Sequence, residues 1–63
     1  MNLEILEKNL KNTIAAKESY ASSLSKSENE LVQSITLQFL EINLQELKGI
    51  LIDVQKIKEN QGN

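Results

Sequence analysis

Residues 22–30 read SSLSKSENE, and they decide how this 63-residue chain folds. On either side the sequence is rich in Leu, Glu, Lys, Gln and Ala, lacks Pro, and holds Gly only at positions 49 and 62. Helix is therefore the default reading of both flanks. Within the stretch, Ser replaces helix formers and competes for backbone hydrogen bonds. Ser27-Glu28-Asn29-Glu30 has the S-x-x-E form of a capping box: the Ser27 hydroxyl accepts from the Glu30 amide, and the Glu30 carboxylate reaches back to the Ser27 amide. The pattern predicts a first helix over about residues 3–23, a turn over about 24–27 and a longer second helix over about 28–60. Asn2 is the expected cap of the first helix and Gly62 the expected stop of the second.

Outward from the turn, the first helix places Leu3, Leu6, Leu10, Ile14, Ala21 and Leu24 on one face, with Tyr20 at its edge and Lys17 on the same stripe. Lys17 either packs its methylenes and carries its amine to the edge, or forms a buried pair with a Glu that fixes register. The second helix carries two stripes. Leu37, Leu40, Leu44, Leu47, Leu51 and Val54 keep a heptad rhythm, the seam of a coiled coil. Val32, Ile35, Phe39, Ile42, Ile50 and Ile57 form a second stripe rotated by roughly 110°. One neighbouring helix covers one stripe, so the second asks for a second neighbour.

Length predicts where that neighbour docks. Folded back through a short turn, the first helix should run out near residue 49, leaving LKGILIDVQKIK, residues 47–58, without cover from its own chain. The expected interface is therefore Leu44, Leu47, Ile50, Leu51, Val54 and Ile57. Gly49, at the start of that overhang, marks a close helix approach, an incidental surface position, or a break that would turn the chain into a three-helix monomer.

Composition points the same way. A domain of this size buries only about 60% of the surface of its unfolded chain, and small domains are usually completed by disulfides, metals or association. With neither Cys nor His in the sequence, association is the expected route. Lack of Cys and of a signal-like start predicts a cytoplasmic protein, and no apolar run is long enough to span a membrane. Seven Lys and no Arg stand against nine acidic residues, a net charge of −2, which does not favour nucleic acid or anionic lipid.

No enzymatic motif emerges. There is no His for general base or metal work, no Cys thiolate, and no base to activate the many Ser residues. Glu4 and Glu7 share a face but read as dipole compensation in an opening turn, and no Gly-rich phosphate loop is present. Catalysis, cofactor and metal binding are accordingly not expected. Tyr20 and Phe39 are too few for a base-stacking platform.

In length and topology the whole chain is similar to the small hairpin co-chaperones of type III secretion. That likeness implies a hetero-complex in which the hairpin covers a partner chaperone and helps keep a needle subunit from polymerising. The plan also resembles the small plasmid copy-control protein that dimerises into a four-helix bundle and binds paired RNA hairpins, which implies a nucleic-acid regulator; its RNA face is basic and aromatic, features this chain lacks. Gln45-Glu46-Leu47-Lys48 bears a trace of the S-x-E-L-D signature of the sporulation phosphatase hairpins, but Leu44 and Lys48 stand where its Ser and Asp would be.

The expectation is thus an all-α protein: an antiparallel two-helix hairpin with a longer second helix, completed by oligomerisation into a helical bundle. Its expected role is that of a non-enzymatic interaction module, a self-associating adaptor or regulator, with a co-chaperone subunit and a dimeric nucleic-acid regulator as the alternatives.

Overall fold

A computed structural model describes residues 2–24 and 29–62. Two helices account for nearly all of them: α1, Leu3–Leu24, and α2, Glu30–Gly62. They pack against each other as a hairpin, which makes the protein all-α, with no strand among the described residues.

Asn2 caps α1 as its position predicts. Its side-chain Oδ1 accepts from the amides of Glu4 at 3.0 Å and Ile5 at 3.2 Å, and its carbonyl accepts from the Leu6 amide at 3.1 Å. The start of α2 departs from the expected residue 28. Asn29 is the cap: its Oδ1 accepts from the Val32 amide at 3.1 Å and its carbonyl from the Gln33 amide at 3.0 Å. Asn is among the residues preferred at this position because its side-chain oxygen satisfies a free amide of the first turn. Ser27, the other half of the expected capping box, lies outside the described residues, as does the expected turn apart from Leu24.

The helix α2 passes through Gly49 without interruption, and no glycine has positive φ. The three-helix alternative is thereby overturned. A single Gly costs about 1 kcal/mol in a helix interior, too little to break thirty-odd residues held by a packed seam.

The core is a single seam between the helices. Ile14 of α1 clusters with Leu40 and Leu44 of α2, with Ala21, Leu24, Leu47 and Leu51 packed around them, and Leu10 and Val54 are buried as well. No side chain is fully buried. Lys17 is half-buried on this seam and has no ion pair among the described residues.

Two ion pairs read out the register. Glu7 meets Lys58 at 2.9 Å and Glu18 meets Lys48 at 3.6 Å, so advancing from 7 to 18 on α1 retreats from 58 to 48 on α2. The helices are therefore antiparallel, and α1 lies against the C-terminal two thirds of α2. Leu24 falls level with about residue 41, and the first three turns of α2 run roughly 16 Å past the end of α1. The chain from Leu24 to Glu30 can reach about 20 Å, enough to allow the offset.

This reverses the expected overhang. Residues 50–57 are the part of α2 that α1 covers, and the uncovered part is its N-terminal end. The reason is energetic: sliding α1 toward the turn would lose Val54 and Leu51 from the seam, whereas the observed offset keeps every leucine from 40 to 51 and Val54 in contact.

Candidate interaction surface

With the register fixed, the six residues expected at an interface separate into two groups. Leu44 and Val54 are buried within the hairpin, and Leu47 and Leu51 pack beside them. These four serve the chain's own core, so they are not available to a partner while the hairpin is intact. Ile50 and Ile57 are about half exposed and remain candidates.

They belong to a longer feature. Val32, Ile35, Phe39, Ile42, Ile50 and Ile57, the whole of the second stripe, are exposed, with Phe39 at 69%. Leu31, at 71%, widens it on the outer flank, whereas the exposed Ile52 lies on the charged side of α2. The stripe runs the length of α2, and its N-terminal third lies beyond the reach of α1. Glu46 and Asp53 interrupt it.

Helix geometry places this stripe relative to α1. At about 100° per residue, Val32, Phe39, Ile50 and Ile57 lie within about 20° of one another and roughly 100° around α2 from the seam. On α1, Asn9, Thr13, Ala16 and Tyr20 stand off the seam by a similar angle in the same sense. In antiparallel helices equal offsets fall on the same side of the layer, so these residues share one broad face. The opposite sense leads to Glu4, Lys11 and Glu18 on α1 and to Glu41, Lys48 and Glu59 on α2. The Glu18–Lys48 contact verifies that pairing of sides.

The hairpin is therefore two-sided. One face is charged and cross-braced; the other is mostly apolar, interrupted by the carboxylates of Glu46 and Asp53, with Lys17 at its groove. Phe39, Val32 and Ile42 were visible in the sequence as part of the stripe but absent from the expected interface. The observed register pairs Glu7 with Lys58 and Glu18 with Lys48, residues eleven and ten apart in the sequence.

Chemistry on this scaffold is sparse. Among the described residues no group of three or more acidic residues is placed to hold a metal ion. An open depression is lined by Glu7, Gln55, Lys58 and Glu59, and there the Glu7 carboxylate and Lys58 ammonium already bind each other. The hydrogen bond from Lys58 holds the Glu7 carboxyl below its ordinary value of 4.5, helped by Gln55, and the same bond holds the Lys58 ammonium above 10.5. No described helix is long and apolar enough to cross a membrane.

Compared with family models, curated proteins and solved structures, the chain matches none.

Proposed function

We propose that this protein is a non-enzymatic interaction module whose working part is the face of the hairpin opposite the Glu18–Lys48 pair, centred on the exposed apolar stripe of α2. The observation that carries the reading is the exposure of Val32, Ile35, Phe39, Ile42, Ile50 and Ile57 along one side of a helix whose other stripe is already used. Scattered exposed apolar residues are ordinary, but a row of them along one helix side marks a contact surface. An amphipathic helix face of this kind takes another helix as its partner, reading anchors at three-and-four spacing. The role is then that of an adaptor or regulator in an assembly. The net charge of −2 and the lack of Arg weigh against the nucleic-acid reading.

A photo-crosslinking residue placed at position 39 or 50 tests the proposal in the producing cell. Protein adducts are expected from both, and none from position 41 on the charged face. Equal labelling from all three would dispose of the assignment.

A further inference from the structure

We propose that the exposed apolar stripe of α2 takes a helix of another protein that carries two Lys or Arg residues two turns apart, set against Glu46 and Asp53. The inference rests on the interaction reading above and adds the chemistry of the partner.

Position comes first. Glu46 and Asp53 stand within the three-and-four rhythm of the stripe: Glu46 is four residues after Ile42, and Asp53 is three after Ile50 and four before Ile57. At about 100° per residue both lie inside the arc between Ile42 and Ile50, and a rise of about 1.5 Å per residue sets them about 10 Å apart along the axis. Both are exposed, and neither side chain has an ion pair or hydrogen bond among the described residues. A helix laid along the stripe past Ile42 therefore takes two carboxylates out of water. Burying a carboxylate without a counter-charge opposes docking strongly, so the occupant brings a cation to each.

This chain does not supply those cations. A second copy docked through the same face repeats the two carboxylates on α2, and the α1 side offers Asn9, Thr13, Ala16 and Tyr20, none of them charged. Lys17 is half-buried on the seam between the helices. The N-terminal part of the stripe makes a different demand. Val32, Ile35, Phe39 and Ile42 follow one another without a charge, so the partner helix is apolar at that end. Its pattern is thus asymmetric, with apolar anchors alone at one end and cations alternating with apolar residues at the other. The two charges fix the register along an otherwise repetitive row and reject an acidic helix.

Fluorescence anisotropy with the full chain and two labelled synthetic helices tests this. One helix carries Leu at three-and-four spacing with Lys at two positions seven apart near one end; the other has Glu at those two positions. The Lys helix is expected to bind roughly tenfold more tightly or better. Glu46→Lys with Asp53→Lys should reverse that preference, whereas Glu41→Lys with Glu59→Lys, the same change of charge on the opposite side of α2, should keep it. All four replaced side chains are exposed, and circular dichroism should show intact helices in both double variants. Equal binding of the two synthetic helices overturns the proposal, and so does a preference that both double variants change alike. Crosslinks from position 50 that join two copies of this chain overturn it as well. Should the proposal fail in any of these ways while positions 39 and 50 still yield protein adducts, the interaction reading stands. Absence of any adduct removes both.

Discussion

Glu7 and Lys58 close the end of the hairpin where α1 begins, and their titration gives the fold a pH profile of known sign. Because the Glu7 carboxyl is held below its ordinary value of 4.5, the stability it contributes is fully present above that pH and is lost as pH falls through the lower folded value. Lys58 is held above 10.5, so its contribution is complete below that pH and is lost as pH rises through the higher folded value. Thermal melts followed by circular dichroism should therefore show the melting temperature falling in acid, and Glu7→Gln should flatten that acid limb while lowering the neutral plateau. An unchanged acid limb would mean that other carboxylates set it. Gly49 offers the converse case. A methyl group there meets nothing within 4 Å, so Gly49→Ala should stabilise the helix by about 1 kcal/mol, seen as a higher melting temperature. At this scale the sequence was a good guide for Asn2 and a poor one for the second cap. Ser27 and Asn29 are both good caps two residues apart, and local chemistry does not rank them.

Among elements, the informative contrast lies between the two stripes of α2. Both were legible as three-and-four patterns, because apolar periodicity depends only on the helix repeat. Which part of each stripe α1 covers was not legible from helix lengths, since length arithmetic assumed that the turn brings the helix ends level. Packing decided otherwise, sliding α1 toward Val54. Two substitutions of similar chemistry should consequently differ. Leu44→Ala removes a buried side chain and should cost about 2–5 kcal/mol, enough to unfold so small a protein, whereas Ile42→Ala, on the exposed stripe, should stay within about 0.5 kcal/mol in the isolated hairpin. Urea titrations of both would measure the difference, and similar costs would contradict the register described above. Hydrogen exchange should show the same asymmetry along α2. Amides of residues 33–38, past the end of α1, should exchange faster than those of residues 44–54.

As a whole the molecule is a rod of 50 × 15 × 14 Å with a radius of gyration of 14.8 Å, against about 11 Å for a compact domain of its length. So thin a body has almost no interior, which is why its buried set is short and why its remaining apolar residues lie on a surface. The melting temperature should fall on dilution if the face is covered by a second copy, and stay constant if the chain works alone. The offset between the helices also gives the rod a direction. Asn2 and Gln61 come together at one tip, while Leu31, Val32 and Phe39 lie toward the other. A tether fused to either terminus would thus hold the protein by the same end, project the apolar tip away from the anchor, and leave the long stripe open along its side.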